Sequence, residues 1–267
     1  MVHLKSVDVR EWPREEDGFP FTLGIVKSLK TMGFDSAVTL FVGENGSGKS
    51  TVLEALACAI GCVTIGSESV KTDPSLASVR RLSRYLHLSW LKRTHKGFFL
   101  RAEDFFGYAK NVRQTREQLE KEMAELEREA RKRSEFAANQ TRTPYANELS
   151  GIQSRYGDGL DNRSHGESYM ALFQARFVPG GLYLLDEPEA ALSPTRQLSF
   201  IAALKQMVER DSQFVIATHS PIILAFPGAK IVSFDGGTIH PVRYDQLEHV
   251  NLTRDFLQNP EAFLRHL

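Results

Sequence analysis

Apolar residues along this chain follow two rhythms: short unbroken runs, and longer stretches at helical spacing. Runs rich in β-branched and aromatic residues, bounded by Gly, Pro or polar positions, predict strands over Leu4–Val9, Phe21–Val26, Val38–Val42, Gly97–Arg101, Gly181–Leu185 and Gln213–Ala217. A last pair, Lys230–Phe234 and Thr238–Val242, is joined by Asp235-Gly236-Gly237, which reads as a hairpin turn. Helical spacing predicts helices over Thr51–Ile60, around Leu76–Lys92, and over Glu167–Phe177 and Pro194–Glu209. Beyond the Gly/Asn/Ser-rich stretch Ser150–Ser164, which reads as a loop, helix and strand alternate. That alternation predicts parallel strands with helical crossovers.

From about Asn111 to Ala138 the chain is dense in good helix formers, with Leu119, Met123, Leu126 and Ala130 at helical spacing. A coiled-coil arm is one interpretation. The stripe is thin, runs for only about four heptads and has no returning partner segment, which favours a solvated helix packed on the domain. The basic residues Arg128, Arg131, Lys132 and Arg133 follow interleaved glutamates and read as a solvated face. No internal repeat is present.

Composition narrows the class without deciding it. A hydrophobic share of 42% and a charged share of 25% are enough for a sizeable core in a soluble globule, and 267 residues suit one α/β domain or one domain carrying an insert. Zero net charge gives no global electrostatic signal for nucleic acid or an anionic membrane. No apolar run approaches the ~18–20 residues of a membrane span, and Met1–Asp8 lacks the apolar core of a signal peptide. Cys58 and Cys62 have no second ligand pair nearby and read as small core residues, so the expectation is a cytoplasmic protein without membrane insertion.

The most specific chemistry is Gly43-Glu44-Asn45-Gly46-Ser47-Gly48-Lys49-Ser50, which fits G-x-x-x-x-G-K-[ST] at every fixed position, between a predicted strand and a predicted helix. Gly43, Gly46 and Gly48 let the backbone of Asn45, Ser47 and their neighbours aim N–H groups at phosphate oxygens, and the helix N-terminus adds its positive dipole end. Lys49 would reach the β- and γ-phosphates, and the Ser50 hydroxyl would hold Mg²⁺. The pattern predicts binding of a nucleoside triphosphate.

Two further strand ends match that chemistry. Leu182-Tyr183-Leu184-Leu185 leads into Asp186-Glu187-Pro188. A carboxylate there can face the phosphate loop, which assigns Asp186 to Mg²⁺ and Glu187 to the general base that polarises the attacking water. The strand Phe214–Ala217 leads into Thr218-His219-Ser220-Pro221, which places His219 to touch the γ-phosphate.

In this order the motifs resemble the ATP-binding-cassette (ABC) class of ATPases, over about Val2 to Gly237. The resemblance implies Gly43 to Thr51 as Walker A, Leu182 to Asp186 as Walker B, Glu187 as catalytic glutamate and His219 as switch histidine, with Lys49 on the phosphates. It implies ATP and Mg²⁺ as cofactors, and an α/β fold with a mainly parallel central sheet, flanking helices, an N-terminal antiparallel β part and an inserted helical subdomain. The 267 residues would be a single ATPase domain, with the inserted lobe at about 64–165. Ser164-His165-Gly166-Glu167-Ser168 resembles a degenerate form of the family's Leu-Ser-Gly-Gly-Gln signature, which implies that Ser164, Gly166 and Glu167 contact ATP held by the opposite subunit of a head-to-tail homodimer. The glutamine that usually senses Mg²⁺ has no match; Arg101 or Glu103 stands at its place, which makes Glu103 a further candidate at the metal. Ser193 stands where many relatives have Asp. Trp12, Phe19 and Phe21 are candidates for stacking on adenine, and each reads equally well as core.

More narrowly, Gly97–Glu103, the degenerate signature and Phe256-Leu257-Gln258-Asn259-Pro260 look like the stand-alone bacterial ATPases near the SMC-like and overcoming-lysogenization-defect groups. That resemblance implies closure of an ATP dimer coupled to a partner protein or DNA, with repair and phage defence among the roles of related heads. Two alternatives stand beside it: a nucleotide-gated switch with negligible turnover, and the ATP-binding subunit of a transporter.

Overall fold

Five consecutive buried residues, Val38–Val42, occupy the middle of the main sheet, and their continuous burial is the mark of a strand covered on both faces. The computed structural model describes residues 1–9, 12, 18–66, 68–130, 146–147, 149–150 and 165–265. In chain order these form β1 (Leu4–Val9), α1 (Gly24–Ser28), β2 (Thr31–Gly33), β3 (Val38–Val42), α2 (Lys49–Ile60), α3 (Ala77–Ser83), β4 (Leu86–Trp90), β5 (Phe99–Arg101) and α4 (Ala102–Ala130). There follow α5 (His165–Arg176), β6 (Leu182–Asp186), α6 (Pro194–Glu209), β7 (Gln213–Ala217), α7 (Pro221–Leu224), β8 (Lys230–Ser233), β9 (His240–Val242), α8 (Glu248–Gln258) and α9 (Pro260–Leu264).

The chain divides into two units, and the first, Met1–Thr64 with Glu68–Ala102 and Val178–Leu267, holds both sheets. Its six-stranded sheet has the order β5-β6-β7-β3-β8-β9, parallel throughout except for the last antiparallel pair. Its three-stranded sheet, β2-β1-β4, is antiparallel. This is the expected α/β class with an N-terminal antiparallel part. Gln213, fully buried at the start of β7, ties the sheets together: its Oε1 accepts from the His3 and Leu4 N–H groups, both at 2.8 Å, and its Nε2 donates to the Leu4 carbonyl at 3.0 Å.

Parallel pairing brings the carboxyl ends of five strands to one edge. Leu40 lies opposite Ile216 and Ile231, and Asp186 lies opposite both Ala217 and Arg101. The loops after β3, β6, β7 and β8 therefore start side by side, which is where open α/β sheets hold their ligands. Gly97, just before β5, has φ +113°, and a Cβ there would collide with the Leu182 carbonyl oxygen, so only glycine permits this approach of β5 to β6.

Two predicted elements differ from the structure. Phe21–Val26 is not a strand: the chain turns there into α1, with Lys27 N–H bonded to the Leu23 carbonyl at 3.1 Å. Its buried residues, Phe21, Ile25, Val26 and Leu29, are spaced as on a helix face, and the run is too short for its period to show in the sequence. The helix around Leu76–Lys92 ends at Ser83. From Leu86 the chain becomes β4 and pairs with β1 from Val9↔Leu86 to Leu4↔Trp90, so sheet formation overrides local helix preference.

The second unit, Ile65–Ser67 with Glu103–Phe177, is helical where described. Phe105 of α4 meets Tyr169 of α5 edge-on at 4.4 Å, and Tyr169 meets Phe173 at 4.8 Å. Arg176 donates to the Tyr108 hydroxyl at 2.8 Å. Further along α4, Leu119 is buried, while Arg113–Glu117 and Arg116–Glu120 pair at i,i+4 on the exposed face. That is the solvated helix expected here. Its predicted continuation to Ala138, including Arg131, Lys132 and Arg133, lies outside the described residues, as does nearly all of the 150–164 loop.

Candidate functional site

The phosphate loop is built as its spacing predicts. Gly48 caps α2 with φ +96°, and a Cβ there would meet Ile25 Cγ2 at 2.5 Å, so α1 packs against the loop at a residue that has no side chain. Lys49 is 4% exposed, and its ammonium donates to the carbonyls of Gly43 at 2.8 Å and Glu44 at 2.9 Å. Burial lowers its pKa, and the carboxylates of Glu187, Asp186, Asp235 and Glu189 act against that shift. Asn45 and Gly46 are exposed on the loop, Ser47 is half-buried, and Ser50 and Thr51 open α2.

Across the edge of the sheet, Ser50 Oγ donates to Asp186 Oδ1 at 3.1 Å. Burial pushes the Asp186 carboxyl up to about 7, against the hydrogen bond from Ser50, and the neighbouring Glu187 adds to the rise. A buried carboxylate short of positive charge, next to a hydroxyl, is a hard oxygen donor pair that fits Mg²⁺. Among the described residues no group of three or more His, Cys, Asp or Glu side chains is arranged to hold a metal ion, so the remaining ligands of such an ion would be phosphate and water. Cys58 and Cys62 pack against the core, and burial raises their thiols to about 11 and about 12.

Glu187 follows with φ 48° and ψ 51°, a left-handed conformation unusual for a side chain of this size. Its N–H is held by the Ala217 carbonyl at 2.9 Å, which ties the end of β6 to the end of β7. His219 Nε2 lies 3.7 Å from Glu187 Oε1. Burial, with Lys49 adding, lowers the His219 pKa and favours the neutral ring. Its Nε2 is buried with no hydrogen-bond partner among the described residues, and the same is true of Ser47 Oγ on the phosphate loop.

Three residues join this site that sequence reasoning missed. Glu189 Oε1 accepts from the backbone N–H of His219 at 2.6 Å and of Ser220 at 3.1 Å, so the loop after β6 holds the loop after β7. Asp235 does the same from β8: its Oδ1 accepts from the Glu44 N–H at 2.8 Å. His249, on the first turn of α8, lies within electrostatic reach of Lys49, Asp235 and His219. Glu189 stands close in sequence to the acidic strand end, as the third acid of Asp186-Glu187-Pro188-Glu189. A cleft of about 320 Å³ opens beside the phosphate loop, lined by Leu23, Ile25, Asn45, Gly46, Phe234 and Asp235 among others.

The remaining candidates are placed differently. Arg101, at the expected glutamine position, is 8% exposed and turned into an ion-pair network, with Asp73 Oδ2 at 2.7 Å, Ser75 Oγ at 3.0 Å and Glu54 Oε1 at 3.5 Å. Glu103 sits in the first turn of α4. Gly166 and Glu167 are half-buried in the first turn of α5, Ser168 is buried, and Ser164 lies outside the described residues. Ser193 caps α6, accepting from the Arg196 N–H at 3.4 Å. Phe21 is buried edge-on between Trp12 at 6.2 Å and Tyr85 at 5.8 Å, while Phe19 is 50% exposed.

Strand order, phosphate loop and acidic strand end define an α/β fold with a P-loop at the carboxyl edge of its main sheet. An AAA domain family model matches residues 23–148. The macrolide export ATP-binding/permease protein MacB of Salmonella choleraesuis (strain SC-B67) is 25% identical over 240 residues, 86% of this chain and 33% of that protein. The chain thus spans about a third of the length of that relative. An uncharacterized ABC transporter ATP-binding protein of Haemophilus influenzae is 24% identical over 238 residues, 87% of this chain and 84% of that protein. Among solved structures, cbiO1 from Clostridium perfringens, part of the ABC transporter complex cbiONQ, shares the fold with a TM-score of 0.51, 14% identity and full coverage of both chains. These likenesses are to ATP-binding proteins of ABC transporters, and the solved structure shares the α/β fold. Among the described residues no helix is long and apolar enough to cross a membrane.

Proposed function

We propose that this protein binds ATP with Mg²⁺, hydrolyses it, and closes with a second copy of itself head-to-tail around two nucleotides. The observation that carries the reading is the convergence of Lys49, Ser50, Asp186, Glu187 and His219 at one sheet edge, with Ser50 3.1 Å from Asp186 and His219 3.7 Å from Glu187. Lys49 leaves the loop carbonyls for the β- and γ-phosphates, while the N–H groups from Gly43 to Thr51 cradle them. Ser50 and Asp186 would hold Mg²⁺, which would neutralise charge on the phosphates. Glu187 orients the attacking water and takes its proton, and neutral His219 donates to a γ-phosphate oxygen. The Ser164, Gly166 and Glu167 turn of one copy completes the site of the other, and Glu103 is a further candidate near the metal. In this reading residues 1–267 are one ATPase domain with an inserted lobe at about 64–165, acting in the cytoplasm and coupling closure to a partner protein or DNA.

The decisive test is Glu187→Gln. The variant should bind ATP with near wild-type affinity, release phosphate at least about a hundredfold more slowly, and accumulate as a dimer in light scattering with ATP. A variant that stays monomeric in saturating ATP overturns the dimer. Phosphate release equal in both forms, at a negligible rate, leaves the nucleotide-gated switch. The names of the MacB and Haemophilus relatives favour a second reading, the ATP-binding subunit of a transporter. Co-purification of a membrane-embedded partner would establish it.

A further inference from the structure

The turn Asp235-Gly236-Gly237 joins β8 to β9, and its first residue reaches back to the phosphate loop. Strands β3 and β8 run in parallel with Val42 opposite Ser233, and the ladder extends to the Phe234 N–H, which donates to the Val42 carbonyl at 2.8 Å. Phe234 then leaves the extended conformation, at φ −110° and ψ 10°, and the backbone ladder ends. The Glu44 N–H, two residues beyond Val42, donates to Asp235 Oδ1 at 2.8 Å. A side-chain carboxylate thus takes over as acceptor where the ladder stops. The buried Ser233 orients that carboxylate: its Oγ donates to Asp235 Oδ2 at 3.2 Å and accepts from the Asp235 N–H at 3.1 Å. The carboxylate also packs on the first loop residue, since a Cβ added to Gly43 would stand 3.0 Å from Asp235 Oδ1.

The other face of the same residue holds the loop's own donors. The Glu44 carbonyl accepts from the Lys49 ammonium at 2.9 Å and from the Ser47 N–H at 3.2 Å. Asp235 is therefore linked through one residue to the lysine assigned to the phosphates. We propose that Asp235 is a positioning residue of the phosphate loop, which holds Gly43 and Glu44 in register with β8 and so presets the cradle for a triphosphate. The proposal rests on the reading of this loop as an ATP site. In that reading Lys49 leaves the Gly43 and Glu44 carbonyls for the phosphates, and the Asp235 bond still fixes this end of the loop. The carboxylate touches no phosphate in this role, since its charge would repel one; what it contributes is an acceptor atom and a preorganised loop. Asp235 is exposed on a turn, so its replacement leaves the apolar core intact.

The test uses the full chain, with Asp235→Ala and Asp235→Asn beside the wild type, titrated calorimetrically with Mg·ATP. Both variants lose the charge, and Asp235→Asn alone keeps a side-chain oxygen for the Glu44 N–H, so comparing them isolates the acceptor. Asp235→Ala should bind ATP about fivefold more weakly than Asp235→Asn, the scale of one hydrogen bond. Asp235→Asn should match or exceed the wild type, because a negative charge beside the phosphates is gone. Without ligand, hydrogen exchange over residues 43–50 should be faster in Asp235→Ala than in Asp235→Asn. Equal ATP affinities in the two variants overturn the proposal, and so does loop exchange that ignores the substitution. A wild type that binds no ATP overturns the ATP reading and the proposal with it, whereas equal affinities in a protein that binds ATP overturn the proposal alone.

Discussion

Glu189 shows how one carboxylate can hold a neighbouring loop in place. Its Oε1 takes the N–H groups of His219 and Ser220, and Ser220 Oγ in turn donates to Gln197 Oε1 at 2.5 Å while capping α7. Burial raises the Glu189 pKa, so these two N–H bonds hold a carboxylate in surroundings that resist charge. Glu189→Ala removes both acceptor contacts and should cost about 2 kcal/mol, the scale of hydrogen bonds to a charged group left unmade. Freed from that hold, His219 should slow phosphate release at least tenfold while ATP affinity stays within about twofold. Thermal unfolding and steady-state phosphate release measure the two effects. An unchanged rate would show that the His219 loop holds itself. The phosphate loop was legible in the sequence because its geometry depends on eight consecutive residues. Glu189, Asp235 and His249 were not, because each reaches the site from a different strand end or helix and no local spacing connects them.

At the scale of elements, the expected metal-sensing position shows a change of role. The resemblance placed Arg101 or Glu103 where a glutamine would sense Mg²⁺, and the structure turns Arg101 at the end of β5 towards Asp73 and Glu54 instead. Burial acts to raise the Asp73 pKa, but its hydrogen bonds from Ser75 and the Arg101 guanidinium outweigh that, and it sits below the usual 3.8. Arg101 thus locks the end of β5 to α2 and to the turn before α3. Replacing it by Ala leaves the half-buried Asp73 and Glu54 without the guanidinium and should destabilise the fold by about 1 to 2 kcal/mol at neutral pH. Since the folded-state pKa of Asp73 is depressed, its share of the stability is present above the unfolded value and is lost as pH falls through the folded one. The gap between wild type and Arg101→Ala should therefore narrow below about pH 4. Denaturant melts at pH 7 and pH 3.5 would show it, and a gap independent of pH would remove Asp73 from the account. The two misread elements have separate causes. Phe21–Val26 was too short to reveal its period, and Leu86–Trp90 became a strand only because β1 was there to pair with it.

Across the sheet-bearing unit as a whole, stability rests on a joint between two sheets that hydrophobic patterning does not reveal. The parallel strands were readable from their apolar runs and the helices between them, because burial on both faces leaves a continuous signature. The seam with the antiparallel sheet was not, since it depends on a polar residue 210 positions away from one of its partners. Gln213 is fully buried, satisfies the N–H groups of His3 and Leu4, and returns a donor to the Leu4 carbonyl. Gln213→Ala leaves those backbone groups without their partner in a dry seam, at a cost of about 3 kcal/mol. For a protein of this size that corresponds to a fall in Tm of roughly 6 to 12 °C. Gln213→Glu keeps the acceptors but replaces the donor with an oxygen facing the Leu4 carbonyl, so it should be no milder despite its matching shape. Calorimetry should record one shifted transition for both variants if the sheets unfold together. A wild-type Tm in Gln213→Ala, or an early separate transition for the antiparallel sheet, would show that the joint is not what couples the sheet supporting the phosphate loop to the rest of the unit.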